Sequence, residues 1–395
     1  MIKSKVLYTE EIDDMQLASE ELFQQAEGFE LEKSSFGLIF MDVETEYDEL
    51  YGVLKEKWDI PFVGVTAIGM LTGRDGYCKS GISVMLLTSS DCRFAVGMTQ
   101  GLTADDYREP VRKTIETLEK ELEGDKVRLV LTYGGKTAHG SGDDIVTAVD
   151  ELGKDYKMYG AYSSDVFTFK DYRIMYNEKT AFGEQVFVLI SGNVDPRFVS
   201  VQSLSGKVNF SYEVTSSKAN KVFKLGNGTF LQALERSGLG LDTAKDLVVA
   251  EFIQTPFITV FENPDGTRFE SLRVLTKLDH EDGSGLFLGG IAEGSSLELG
   301  LLNREDVKTT VKSAFDEIFE WLKADGKDHS TILCSSCAAR FLVMGNDGSM
   351  EAESYKDRLP ENISLMGMYS YGEFCPVGEN GYNLFHNSTF TILCL

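Results

Sequence analysis

The sequence predicts an α/β protein of mixed α+β type, in which repeated strand-helix-strand-strand units form mixed sheets in two related, tightly packed halves. Two observations carry this reading. A glycine closes a short apolar strand three times, in Gly64-Val-Thr-Ala-Ile-Gly69, Gly160-Ala-Tyr-Ser-Ser-Asp165 and Gly367-Met-Tyr-Ser-Tyr-Gly372-Glu373, and returning strands follow at Ser83 to Leu87, Gln185 to Ile190 and Thr389 to Leu395. A longer order recurs on top of that one. Residues 93 to 193 and 286 to 395 both read strand, acidic-capped helix, strand, helix, glycine-ended strand, returning strand.

Taken in order, Phe36 to Val43 is an apolar run of strand length, and Thr45 with Asp48 has the spacing of a capping box for a helix to Trp58. Arg93 to Met98 reads as a strand, and Thr103-Ala-Asp-Asp106 caps a helix to Glu123. The second unit continues with a strand at Val127 to Tyr133, a helix at Asp143 to Leu152 and the strand Lys157 to Tyr162. In the middle stand strand candidates at Val208 to Val214 and Val249 to Val260, the turn Asn263-Pro-Asp-Gly266, and a short helix from Thr229 to Ser237. The third unit places a strand at Leu286 to Ile291, a helix capped by Asn303-Arg-Glu-Asp306 and running to Leu322, a strand at Thr331 to Cys337, a helix around Glu351 to Leu359, and the strand Leu365 to Tyr369. A helical crossover makes the two strands it joins parallel, whereas each returning strand follows too closely for one and should pair antiparallel. The resulting organisation is an N-terminal extension at 1–36, a domain at 37–200 and a domain at 201–395. No low-complexity linker separates the halves.

Composition bounds the partners. With 395 residues, 42% hydrophobic, the chain can bury substantial cores. Its 38 basic and 63 acidic residues give an acidic protein of formal charge −25, which repels nucleic acid and anionic membranes. No apolar run approaches the roughly 20 residues of a spanning helix, and the start lacks a signal-peptide core, so a cytoplasmic location is expected. Six cysteines are too few for a disulfide framework and are expected to be free thiols.

The C-terminal series Ser336-Cys337-Ala-Ala-Arg340, an acidic residue about a dozen positions on, Gly367 to Glu373, and His386-Asn387-Ser-Thr389 resembles the FIST C domain. The earlier part is similar to the FIST N domain through Gly64 to Gly69 and Gly160 to Asp165, although Val65 and Met70 stand where that family commonly has cysteine and an acidic residue. The resemblance spans residues 37 to 390. It implies a sensory domain of signal transduction that binds small molecules such as amino acids, with no defining reaction. No attached output segment is expected.

The candidate ligand-binding residues are Arg340, Ser370, Tyr371, Gly372, Glu373, Asn387 and Cys337, with Ser163 and Asp165 from the second motif. Arg340 offers a planar fork for a carboxylate and Glu373 an anion for an ammonium group, while Ser370, Tyr371 and Asn387 add neutral hydrogen bonds. Gly372 would let a ligand approach the main chain. Together they would suit a zwitterion. The alternative is that Arg340 and Glu373 pair with each other. Cys334-Ser-Ser-Cys337 is half of a zinc site with no second half, and its cysteines end an apolar strand, so neither metal nor redox chemistry is expected. The glycine-rich stretch around His139 lacks a Walker ending, and acidic clusters at 10–14 and 279–282 lack the ligand spacing of a calcium loop. No cofactor, metal or catalytic residue is expected. The expected function is intracellular sensing of an amino acid or related small carboxylate, signalled through a separate protein partner. The alternatives are an enzyme using Cys337 or His386 and a protein-interaction scaffold.

Overall fold

In the computed structural model, which describes residues 2–135, 140–238, 248–262, 265–326, 329–378 and 381–395, the apolar runs become strands in an order that occurs three times over. The first unit contains β1 (Ile2–Thr9), α1 (Met15–Gln25), β2 (Ser34–Met41), α2 (Tyr47–Lys57), β3 (Phe62–Thr66), the hairpin β4 (Met70–Thr72) and β5 (Gly76–Cys78), and β6 (Ile82–Ser89). The second contains β7 (Cys92–Met98), α3 (Arg108–Glu121), β8 (Val127–Gly134), α4 (Gly142–Asp150), β9 (Met158–Tyr162), the hairpin β10 (Ile174–Tyr176) and β11 (Lys179–Ala181), and β12 (Gln185–Gly192). The third opens with β13 (Arg197–Gln202) and then accepts an insertion. That insertion holds β14 (Gly206–Lys218), β15 (Lys221–Leu225), β16 (Gly228–Thr229), α5 (Phe230–Arg236), α6 (Val249–Phe252), β17 (Phe257–Glu262), β18 (Arg268–Arg273), β19 (Leu275–Asp279), β20 (Ser284–Phe287) and β21 (Ser296–Leu301). The unit resumes with α7 (Arg304–Asp325), β22 (Thr331–Cys337), α8 (Ala338–Val343), α9 (Ser349–Ala352), β23 (Ser364–Ser370), the hairpin β24 (Glu373–Val377) and β25 (Tyr382–His386), and β26 (Thr389–Cys394).

The strand orders expose a cyclic exchange. Three six-stranded sheets run β1-β6-β2-β3-β10-β11, β7-β12-β8-β9-β24-β25 and β13-β26-β22-β23-β4-β5. Each sheet therefore takes four strands from one unit and its last hairpin from another. The second unit completes the first sheet, the third completes the second, and the first completes the third. The helical crossovers give the expected parallel pairs β2/β3, β8/β9 and β22/β23. The returning strands β6, β12 and β26 pair antiparallel with β2, β8 and β22.

Strand alternation then divides the core. Phe36, Leu38 and Phe40 of β2, Val186, Val188 and Ile190 of β12, and Leu333, Met366 and Leu393 of the third sheet share one central cluster. The opposite faces meet helices: Ile39 and Met41 pack with α1 and α2, Phe187 and Leu189 with α3 and α4, and Ile332 and Cys334 with α7. Sheets covered on both faces explain why these strands read as continuous apolar runs. The two related halves are tightly packed because they share hydrogen-bonded sheets.

Several elements differ from the sequence reading. The counterpart of β7 in the third unit is β13, and Leu286 belongs to β20 in the insertion, whose eight-stranded sheet surrounds its own core at Phe230, Phe257 and Phe287. The stretch Val249 to Val260 divides into α6 and β17, because Pro256 lacks an amide hydrogen for either ladder. Glu46 is the N-cap of α2 and makes no side-chain cap bond, so the Thr45–Asp48 box does not form. The helix near 351 is the single turn α9. Residues 2–25, within the 1–36 stretch, supply β1 and α1 of the first unit, and Asp14 of the acidic cluster there caps α1 by accepting from the Gln16 and Leu17 amides. Asp279 and Asp282 both pair with Lys221. His139 and the Asn263-Pro264 half of the predicted turn lie outside the described residues. Among the described residues, no helix is long and apolar enough to cross a membrane.

The glycine at 160 is dictated by strand spacing. A Cβ there would stand 1.7 Å from the Thr132 carbonyl oxygen, so any side chain forces β8 and β9 apart. Gly52, inside α2, has open space around its Cβ position. Gly160→Ala is expected to lower the melting temperature sharply or abolish soluble protein, whereas Gly52→Ala should add about 0.5–1 kcal/mol. Equal effects of the two substitutions in thermal denaturation would refute the assignment of Gly160 to a close strand contact.

Candidate functional site

The hairpin exchange brings the three glycine-ended strands to one junction, because each chain must leave its own sheet at that point. Ser164, fully buried, ties the three ends together. Its amide donates to Thr66 O at 2.9 Å, its hydroxyl donates to Tyr369 O at 2.6 Å, and it accepts from the Ile68 amide at 3.0 Å. The Tyr369 amide donates to Gly69 O at 3.0 Å and the Tyr162 amide to Gly372 O at 2.9 Å. Ser164 was not among the sequence candidates. Its only signal was its place in the second repeated motif, where Ser163 stands beside it.

The candidates divide around this junction. The Tyr371 hydroxyl donates to Asp165 Oδ1 at 2.5 Å, with Asp165 O at 2.9 Å, and accepts from the Phe167 amide at 3.0 Å, and its ring stacks on Phe169 at 4.6 Å. Asp165 also accepts from the Thr168 hydroxyl and from the amides of Phe169, Lys170 and Asp171. Burial pushes its carboxyl up, but the donors of Thr168, Tyr371, Asp171 and Lys170 outweigh burial and hold it below the ordinary value. Ser163 donates to Gly134 O at 3.2 Å. At Gly372 the space a Cβ would need is taken by Phe385, whose Cζ would be 2.1 Å away, so this glycine admits an aromatic ring of the protein.

On the other side, Cys337, Ser370 and Glu373 come together, and they and Asn387 are fully buried. Ser370 donates to Glu373 Oε1 at 2.6 Å. Glu373 Oε2, Asn387 Oδ1 and Ser388 Oγ have no hydrogen-bond partner among the described residues. Burial raises the Glu373 carboxyl well above its ordinary range against the opposing pull of Ser370, Arg340 and Cys337, and it raises the Cys337 thiol with help from Glu373. Both shifts favour the protonated forms of acid and thiol. His386 is pushed down to about 4 by burial, and its Nε2 lies 2.9 Å from Cys375 O as a donor. These environments disfavour a thiolate nucleophile and an imidazolium alike.

Arg340 finds a different carboxylate from the one expected. Its Nε donates to Glu351 Oε1 at 3.0 Å, Nη1 donates to Ser203 Oγ at 3.0 Å, and both Arg340 and Glu351 are fully buried. Ser336 also donates to Glu351 Oε1 at 3.1 Å. Glu351 is the acidic residue that follows Arg340 in the C-terminal series, so its partner was present in the motif. A second buried guanidinium went unseen: Arg273 donates to Asp143 Oδ1 at 3.0 Å, and to Gly290 O and Phe385 O, tying the insertion to α4 and β25.

Open space lies elsewhere. A cleft of about 720 Å³ is bounded by the chain entering β8 and β9, by β13, by the β24–β25 hairpin and by α7. Its walls carry Lys126, Arg128, Lys157 and Arg197 against Asp155, Asp195 and Glu317, over Phe198 and Pro376. Lys157 pairs with Asp155 at 2.7 Å and Arg197 with Glu317 at 2.6 Å. The exposed Lys126 and Arg128 make no hydrogen bond or ion pair to a described residue, and Arg197 Nε is buried without a partner among them.

Comparison with known proteins gives two family matches, the FIST N domain over residues 35–228 and the FIST C domain over residues 231–376. No curated protein matches. Among solved structures, a chorismatase determined at 1.08 Å is similar over 100% of this chain and 98% of its own, at 12% identity and a TM-score of 0.37.

The buried acid generates a pH prediction. Glu373 has a folded pKa above that of the unfolded chain, so its stabilising contribution is complete below the unfolded value of about 4.3 and fades as pH rises towards the folded value. Glu373→Gln, neutral throughout, is expected to gain stability relative to the parent as pH rises from about 5 to 8. Parallel stability curves in urea across that range would overturn it. In contrast, Glu351→Ala leaves Arg340 as an uncompensated buried charge and should cost about 3–5 kcal/mol by urea denaturation.

Proposed function

The chain belongs to the FIST family, and from that premise we propose that it is a sensory protein that binds a small carboxylate of amino-acid size in the cleft between its second and third units. FIST domains are small-ligand sensory domains of signalling. The observation that carries the ligand class is that Lys126 and Arg128 line the cleft without an ion pair or hydrogen bond to a described residue, in a chain of formal charge −25. In so acidic a protein an unpaired cation facing a cleft creates a local well for an anion. Arg128 supplies the planar fork that holds a carboxylate bidentately, and Phe198 and Pro376 offer apolar contact to its carbon skeleton. The cleft volume of about 720 Å³ falls within the roughly 300–1,000 Å³ of small-molecule sites.

A ligand there would touch β13 and the β24–β25 hairpin of the third unit and the second unit's sheet that receives that hairpin. Binding would therefore favour one relative placement of the two, and a separate signalling protein would read that placement. The buried polar group around Glu373 lies outside the cleft lining and serves the fold. The enzyme alternative loses support from the raised Cys337 thiol and the lowered His386. The scaffold alternative loses support because the large exposed apolar side chains among the described residues, Leu17, Val166, Phe182 and Leu301, lie on separate elements.

Thermal-shift screening of amino acids and small mono-, di- and tricarboxylates tests the reading. A binder at 100 times its dissociation constant should add about 2.7 kcal/mol of stability. Arg128→Ala combined with Lys126→Ala should leave the unliganded melting point unchanged and remove most of the shift. A flat response to every carboxylate, or a shift undiminished in the double variant, would refute it.

A further inference from the structure

The hairpin exchange creates the same kind of gap more than once. The cleft described above lies where the first strand of one unit (β13), that unit's exported hairpin (β24–β25) and the chain entering the receiving sheet's third strand (β9) come together, beside the exporting unit's first helix, α7. One step round the cycle, β1, the exported hairpin β4–β5 and the chain entering β23 come together beside α1, and a second cleft of about 340 Å³ opens there. At the remaining junction the Tyr176 hydroxyl of β10 donates to Val96 O of β7 at 2.8 Å, which draws hairpin and first strand together.

The second cleft repeats the charge pattern with different residues. Lys5, Arg74 and Lys356 face it against Asp75 and Glu361. Lys356 Nζ donates to a backbone carbonyl, Asp75 O, at 3.1 Å, so no carboxylate neutralises it there. Lys5 and Arg74 make no hydrogen bond or ion pair to a described residue. Two clefts at equivalent junctions thus each carry more cations than anions in an acidic chain, which makes each locally favourable to an anion.

We propose that the second cleft is a separate oxyanion-binding site, taking a molecule smaller than the one in the first cleft and holding its phosphate or carboxylate group between Lys5, Arg74 and Lys356. The chain would then be a two-site protein whose sites are bordered by different hairpins of the same exchange cycle. Because both hairpins are anchored in the third unit, as donor of β24–β25 and as recipient of β4–β5, occupancy of one site can bias the other. This inference rests on the repeat geometry and survives failure of the first cleft as a carboxylate site.

Isothermal titration of the full chain at constant ionic strength, with inorganic phosphate in one arm and malonate in the other, tests it and separates the two oxyanion sources. Saturable binding of at least one probe is expected, weakened about tenfold or more in the Lys5→Ala/Arg74→Ala double variant and retained in Lys126→Ala/Arg128→Ala. These side chains lack protein partners, so an unchanged melting point in the absence of probe should accompany the loss. Absence of saturable binding by both probes, or equal affinity in the Lys5/Arg74 variant and the parent, would overturn the second site. Loss confined to the Lys126/Arg128 variant would also overturn it while leaving the first site standing.

Discussion

Every sheet in the main body is finished by a hairpin it does not own. The exported hairpins β4–β5, β10–β11 and β24–β25 pair through backbone hydrogen bonds with β23, β3 and β9, so no unit can bury its third strand's edge alone. An exposed strand edge is a liability in water, and the closed cycle covers three such edges with the protein's own chain. The same exchange forces each glycine-ended strand to turn out of its sheet at a common place. That requirement brings Thr66, Ser164 and Tyr369 into hydrogen-bonding distance and fixes the clefts at the rims.

The central junction is polar although it is sealed, and its polar groups are satisfied unevenly. Arg340 with Glu351 and Arg273 with Asp143 are buried ion pairs, a kind of contact that contributes little net stability but makes wrong packings expensive. Glu373 differs, because burial raises its carboxyl and so favours the protonated form. Such devices suit a fold in which similar units could be paired in the wrong order, because each pair joins segments unique to one unit or to the insertion. Arg273 links the insertion to the second unit, and Arg340 links α8 to the end of β13 through Ser203.

The excess of acid over base gives the clefts their chemical character. Several basic side chains on the surface are matched by carboxylates, as in Arg112 with Glu109 and Glu116, or Arg108 with Glu151. Lys126, Arg128, Lys5 and Arg74 make no ion pair to a described residue, and each lines a gap between units. Fold and electrostatics thus converge on the same places: the exchange leaves room at the rim, and unpaired cations occupy it.

Periodicity and glycine punctuation made the repeat legible, down to the parallel crossovers, the antiparallel returns and the cap at Asn303, because these depend on residues close in sequence. The caps expected at Thr45 and Thr103 do not form, since Glu46 and Tyr107 precede α2 and α3 without a side-chain cap bond. The chemical types of the C-terminal motif were legible too. Their partners were not: Arg340 faces Glu351, Gly372 receives Phe385, and Tyr371 anchors Asp165 across more than two hundred residues. Local pattern specifies a strand and its two faces, whereas which sheet receives a hairpin is decided by edge-to-edge pairing between distant segments, where many registers satisfy the same alternation. The sequence by itself thus determined the repeated units and their acidic surface. Only the tertiary structure decided that the units exchange hairpins in a ring, that their polar ends close on one another, and that the open space lies between units, because each of these depends on long-range pairing that no local spacing encodes.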